Sequence, residues 1–216
     1  AADALLRFRS ILDALHIENR AVFATASLRN ITNSEEAVFQ LQERTGLMIR
    51  LLSGREEAIL DYVGATSGME EREQGMVLDI GGGSTEWVCF SQGRIRHAAS
   101  IPLGSLNLYN RFVAGILPTR AEVRKMESEV AELLKKRAKS ASRPPVGPLC
   151  AVGGTARAAL KLYNGLTGES GGNTRYDVGF YDDYLAQITA ESKKLTNRIL
   201  KIAPERIHTL TPGIAV

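Results

Sequence analysis

This 216-residue sequence has only two cysteines and three histidines. Cys89 and Cys150 both sit in apolar, strand-like runs. They read as buried reduced thiols rather than a disulfide framework, and the expected compartment is the cytoplasm. His16, His97 and His208 are scattered without metal-ligand spacing, which argues against a zinc site. No apolar run approaches the roughly 18 residues that a membrane span needs, and no signal-peptide pattern opens the chain. An excess of either charge is lacking as well: the net is +3, with a pI near 8.9. That suits an anionic ligand but is too mild to argue for nucleic acid. The rest is an ordinary globular composition, 44% hydrophobic and 24% charged, long enough for one large or two small domains.

What the chain does have is concentrated in residues 76–90, MVLDIGGGSTEWVCF. An apolar run ends in Asp79, three glycines turn the backbone, and a second apolar run leaves. The pattern predicts a β-hairpin with a glycine tip, not the strand–loop–helix of a P-loop or a Rossmann unit. Gly81, Gly82 and Gly83 let a phosphate approach bare backbone N–H groups, and Ser84 and Thr85 add hydroxyls. Asp79 can hold a divalent cation, directly or through its waters. Glu86 places a second carboxylate at the start of the returning strand. A tight hairpin whose polar residues only satisfy the turn is the plainer alternative. The aspartate before the tip and Ser-Thr-Glu after it favour phosphate.

In chain order, apolar residues at helical spacing (Leu5, Phe8, Ile11, Leu12, Leu15) predict an amphipathic helix over 1–16. Residues 21–27 read as a buried strand, with Arg29 just past its C-terminal end, where open α/β sheets place their ligands. A helix follows over 34–45, capped by Asn33 or Ser34, and a strand over 48–52. Ser53 and Glu56 have capping-box spacing at the head of the next helix, with Gly64 as its stop. Glu57 is left without a structural duty beyond first-turn acidity; the alternative is a base that accepts a proton from water. Residues 66–75, polar and charged, mark a domain boundary, giving domains 1–70 and 71–216. Residues 94–101 read as a third strand of the second domain, and 103–112 as a short helix. A longer helix starts at Thr119 and buries Val123, Met126, Val130, Leu133 and Leu134; its basic end is a solvated helix end or a landing strip for a polyanion. A linker is read over 144–148 and a buried strand over 149–152. Gly153, Gly154 and Thr155 then turn into a helix reaching about residue 164, a second glycine-tipped strand end at an anion-attracting helix N-terminus. A glycine-rich loop over 167–173, a strand over 176–180 and a helix over 182–195 complete the reading.

The segments ATASLRN (24–30), TGLMIRLLSGREEA (45–58), VLDIGGGSTE (77–86), AVGGTAR (151–157) and APERIHTLTPGIAV (203–216) resemble the exopolyphosphatase / guanosine pentaphosphate phosphohydrolase (Ppx/GppA) family of the actin-like phosphotransferase superfamily. The resemblance runs over essentially the whole chain. It implies an α/β, actin-like fold of two ribonuclease-H-like domains, mixed sheets flanked by helices, with the active site in the cleft between them. The implied reaction is Mg²⁺-dependent hydrolysis of the terminal phosphoryl group of inorganic polyphosphate or pppGpp. By the same resemblance Glu57 matches the general base and Arg29 the arginine that grips substrate phosphate. Gly81, Gly82, Gly83, Ser84 and Thr85 match a phosphate loop, Gly153, Gly154 and Thr155 the nucleotide-contacting loop, and Asp79 and Glu86 stand near the metal. Two departures stand out. The family's opening phosphate loop, a D-x-G-[ST]-N-like motif, is absent, so the first domain is expected to be incomplete, the chain alone inactive or weak, and a homodimer to form through the exposed sheet edge. Ile207-His208 stands where the family commonly has Ala-Asp. The competing readings are an actin-like ATPase or kinase, which needs no base at Glu57, and a non-catalytic module that senses polyphosphate or alarmones.

Overall fold

The computed structural model describes residues 1–67, 74–138, 147–169, 172–177, 179–187 and 192–216. They form two compact units, Ala1–Glu57 and Ala58–Val216. The boundary segment read over 66–75 and the linker read over 144–148 lie largely outside the described residues, as do Lys139 and Arg143 of the basic stretch.

The first unit contains α1 (Ala2–Ala14), β1 (Val22–Ala24), α2 (Ala26–Arg29), α3 (Ser34–Thr45), β2 (Ile49–Leu51) and the first turn of α4 (Gly54–Thr66). β1 and β2 are parallel, with Val22 opposite Ile49, and the two helices form the crossover that a parallel pair requires. The strand expected over 21–27 is shorter: the chain enters α2 at Ala26, and Phe23 is exposed rather than buried. α3 starts after Asn33 as expected, although no side chain caps it, and ends at Gly46 in the left-handed region at φ 63°. Arg9 Nη1 donates to the Thr45 carbonyl at 2.6 Å, fastening α1 to the end of α3.

The second unit is built on β3 (Gln74–Ile80), β4 (Thr85–Ser91), β5 (Arg94–Ile101) and β6 (Leu149–Val152), in the order β5-β4-β3-β6. The first three form an antiparallel meander, and β6 lies parallel to β3. Its helices are α5 (Ser105–Phe112), α6 (Arg120–Ala138), α7 (Gly153–Thr167), α8 (Gly179–Gln187), α9 (Ser192–Ile202) and α10 (Leu210–Ile214), with a 3-10 turn at Pro204–Arg206. Alternation along β4 sends Val88 and Trp87 to opposite faces. Val88 packs with Ala58, Ala98, Ile59 and Tyr62, so the later turns of α4 cover one face. Trp87 joins the larger cluster around Ile101, Leu108, Met126, Leu162 and Ile199 on the other. The result is a mixed sheet flanked by helices.

Several expectations change here. α4 continues through Gly64 to Thr66. Gly64 is not at positive φ, and a glycine inside a helix costs only about 1 kcal/mol, which the buried face offsets. No strand forms at 176–177 or 179–180: Phe180 and Tyr181 belong to α8, and Tyr176, Phe180 and Tyr181 meet edge-on. The single helix expected over 182–195 is instead α8 and α9, with residues 188–191 outside those described. Leu134 is exposed while Val123, Met126 and Val130 are buried as expected. β6 is an edge strand with Leu149 exposed, not a buried one, and α7 runs to Thr167.

Candidate active site

In the first unit the chemistry gathers at the C-terminal ends of the two strands. Ser53 and Glu56 form the capping box: Ser53 N–H donates to Glu56 Oε2 at 2.9 Å, and Glu56 N–H donates to Ser53 Oγ at 3.2 Å. Those bonds from Ser53, reinforced by Arg50, pull the Glu56 carboxyl down to about 2. Glu56 is thus committed to structure, and its neighbour Glu57 is not part of that box. Arg29, the last residue of α2, donates from Nη1 both to Glu57 Oε2 at 2.8 Å and to the Leu52 carbonyl at 2.9 Å. Both side chains are mostly shielded, each 18% exposed. The structure therefore brings Arg29 and Glu57 into direct contact, which sequence position alone did not reveal.

In the second unit Asp79 and Glu86 are directly opposed across the β3–β4 pair, which puts their side chains on one face. Glu86 is buried and accepts from Ser100 Oγ at 2.7 Å. The glycine tip is held from one side by the first turn of α5. Ser105 N–H donates to the Gly81 carbonyl, Leu106 and Asn107 N–H to the Gly82 carbonyl, and Asn107 Nδ2 to the Gly83 carbonyl. In a planar trans peptide the N–H points opposite to the C=O. With those carbonyls turned onto α5, the N–H groups of Gly82, Gly83 and Ser84 are turned away from it, the arrangement of an anion-binding nest. Thr85 is directed elsewhere: buried, its hydroxyl donates to the Leu103 carbonyl at 2.7 Å. Ser84 is buried as well.

The second glycine turn meets the first at Asp79. Gly153 has φ 82°, and a Cβ there would overlap the Asp79 carboxylate. β6 pairs with β3 up to Asp79 opposite Val152, so register delivers the two strand ends to one place. Thr155 is buried against Gly213 of α10. Sequence reasoning missed three contributors: Ser100 beneath Glu86, the α5 first turn behind the tip, and Arg206, whose guanidinium would collide with a Cβ on Gly154. Only the polar start of α5 after Gly104 carried any local signal for these.

Among the described residues no group of three or more His, Cys, Asp or Glu side chains stands together, so there is no all-protein metal cage. Mg²⁺ does not need one. It keeps several waters and takes one or two carboxylates plus substrate phosphates. Asp79 and Glu86, on one face of the sheet at the glycine turns, fit that donor set.

A family model described as the Ppx/GppA phosphatase family matches residues 1–216. The chain belongs to this family. Solved Ppx/GppA structures share its fold: an Aquifex aeolicus family member is 24% identical with a TM-score of 0.69, over 99% of this chain and 70% of that one. An exopolyphosphatase from Cytophaga hutchinsonii is 21% identical with a TM-score of 0.76, again over 99% and 70%. Among curated relatives, a bifunctional 3-dehydroquinate synthase/phosphatase of Fusobacterium nucleatum is 30% identical over 112 residues, half of this chain and 17% of that protein. An uncharacterized Streptomyces coelicolor protein is 42% identical over 95 residues, 43% of this chain and 28% of that one. The matched segment thus spans less than a third of either curated relative. Within the described residues no helix is long and apolar enough to cross a membrane.

Proposed function

We propose that this Ppx/GppA chain carries the base and phosphate loops of a Mg²⁺-dependent phosphohydrolase that removes the terminal phosphoryl group from inorganic polyphosphate or pppGpp. The observation that carries the reading is the meeting of the two glycine turns at Asp79, with the tip N–H groups turned outward and Gly153 pressed against the carboxylate. Family membership supports the phosphatase class.

In this reading Glu57 accepts a proton from water as the water oxygen bonds to the terminal phosphorus. The P–O bond to the bridging oxygen breaks, and that oxygen leaves with the electron pair on the shortened chain. Arg29 holds Glu57 in place and grips substrate phosphate, while Gly81, Gly82, Gly83, Ser84, Gly153, Gly154 and Thr155 line the phosphate path; Thr85, its hydroxyl spent on the Leu103 carbonyl, supports the hairpin instead. Backbone N–H groups aimed at phosphate oxygens stabilise spread charge without reorganising during the reaction. Asp79 and Glu86 would hold Mg²⁺, which when bound neutralises charge on the phosphate oxygens.

The test is phosphate release by the intact protein with Mg²⁺, offered long-chain polyphosphate, pppGpp and ATP separately. Release from polyphosphate or pppGpp is expected, and the better substrate settles the preference. Release from ATP alone would move the chain to the ATPase or kinase reading. Polyphosphate binding without release from any of the three would make it a sensor.

A further inference from the structure

Three residues stand in one row across the sheet of the second unit. Asp79 on β3 is paired with Glu86 on β4, and Glu86 with Ser100 on β5, so the three side chains share a face. The next row on that face, two residues along each strand, is Val77, Val88 and Ala98, all buried, with Ala58 of α4 packed on Val88 and Ala98. The Glu86 carboxylate thus has an apolar row on one side and a like charge directly opposite, an arrangement that by itself costs free energy. Glu86 is nonetheless only 2% exposed. Ser100 Oγ donates to its Oε1 at 2.7 Å, the short distance of a hydrogen bond to an ionised acceptor. β5 carries alanine at 98 and serine at 100, so the methyl stands in the apolar row and the hydroxyl in the carboxylate row.

We propose that Ser100 is a positioning residue for the divalent cation: it fixes the rotation of the Glu86 carboxylate so that Glu86 and Asp79 present oxygens to one ion. The inference rests on the reading of Asp79 and Glu86 as the Mg²⁺-holding pair and deepens it. Mg²⁺ demands near-ideal octahedral geometry, and a carboxylate that rotates about its last bond offers a poorly placed oxygen. Turning that carboxylate toward Val88 exchanges the Ser100 bond for apolar surroundings. The serine and the apolar row therefore select one orientation together. Ser100 acts through Glu86 and needs no contact with substrate. Partners of this kind, one shell out from the ion, set the affinity of a metal site nearly as much as the ligands do.

The test titrates the intact protein, without substrate, with Mn²⁺ as a stand-in for Mg²⁺, following free Mn²⁺ by electron paramagnetic resonance. Wild type is compared with Ser100→Ala, with Ser100→Thr, which keeps the hydroxyl, and with Asp79→Asn, which removes a ligand charge. Ser91→Ala, at the far end of β4, is the serine control. Ser100→Ala should bind Mn²⁺ about ten- to a hundredfold more weakly, Ser100→Thr should recover most of the loss, and Ser91→Ala should match wild type. In phosphate release, the Mg²⁺ concentration that gives half the maximal rate should rise by the same factor in Ser100→Ala. Excess Mg²⁺ should then restore the rate, a rescue that a merely structural serine would not show. Should Ser100→Ala fail to fold, Ser100→Cys, close in size and only a weak donor, decides by the same criteria. Wild-type Mn²⁺ affinity in the folded variant overturns the Ser100 assignment and leaves the carboxylate pair in place. Absence of Mn²⁺ binding by wild type, or undiminished binding by Asp79→Asn, overturns the pair and Ser100 with it. Phosphate release by wild type judges the hydrolase reading separately.

Discussion

The units Ala1–Glu57 and Ala58–Val216 hold their chemistry in place by different means. The first has two three-residue strands and few buried apolar side chains (Ala2, Ala26, Ile49 and Leu52), while Phe8, Phe39 and Met48 are exposed. The second contains both hydrophobic clusters and a four-stranded sheet covered on its two faces. Accordingly, Glu57 and Arg29 are anchored by polar contacts: an ion pair, a bond to the Leu52 carbonyl and a neighbouring capping box. The glycine turns are anchored by packing and close backbone approach. Under the proposed function, a base that must accept and release protons tolerates a polar mooring, whereas a nest of N–H groups works only if its backbone is fixed.

This contrast can be broken most sharply in the cores. Leu162 is fully buried, and Leu162→Ala should cost about 2–5 kcal/mol in denaturant unfolding. Phe39, 60% exposed, should lose no more than about 0.5 kcal/mol on replacement by alanine. Equal losses would erase the distinction. Next in size, Gly153→Ala forces positive φ onto a residue with a Cβ and pushes that Cβ into Asp79. A cost of about 1–3 kcal/mol is expected, together with a fall in phosphate release, and an unchanged rate would remove Asp79 from the account.

The smallest effects belong to the polar mooring. Ser53→Ala should cost about 0.5–2 kcal/mol. Glu56, held at about 2 against an ordinary 4.5 by Ser53 and Arg50, has a depressed folded pKa. Its stabilising contribution is therefore complete above about pH 4.5 and lost as pH falls from 4.5 toward 2. Glu56→Gln should flatten the acid limb of stability within that window. An unaltered acid limb would mean that the box contributes nothing in solution.

The second unit was also the more legible in sequence. The glycine hairpin and β5 at Arg94–Ile101 follow directly from alternation and turn residues. The start of α6 at Thr119 was equally plain, and there Thr119 N–H donates to Glu122 Oε2 at 2.6 Å. Aromatics misled at 176–180, because Tyr176, Phe180 and Tyr181 carry strand propensity but are spent on edge-on packing around α8. Gly64 misled because a glycine stops a helix only when it adopts the left-handed conformation. What local pattern could not show were contacts set by tertiary packing: Arg29 on Glu57, Ser100 under Glu86, and Arg206 on Gly154.

The account turns on whether Glu57 is a base or a structural acid like its neighbour. Glu57→Gln in the intact protein, assayed with Mg²⁺ for both polyphosphate binding and phosphate release, separates the two. The account predicts that release falls about 10²- to 10⁴-fold while polyphosphate affinity stays at the wild-type value. Release at the wild-type rate would contradict it.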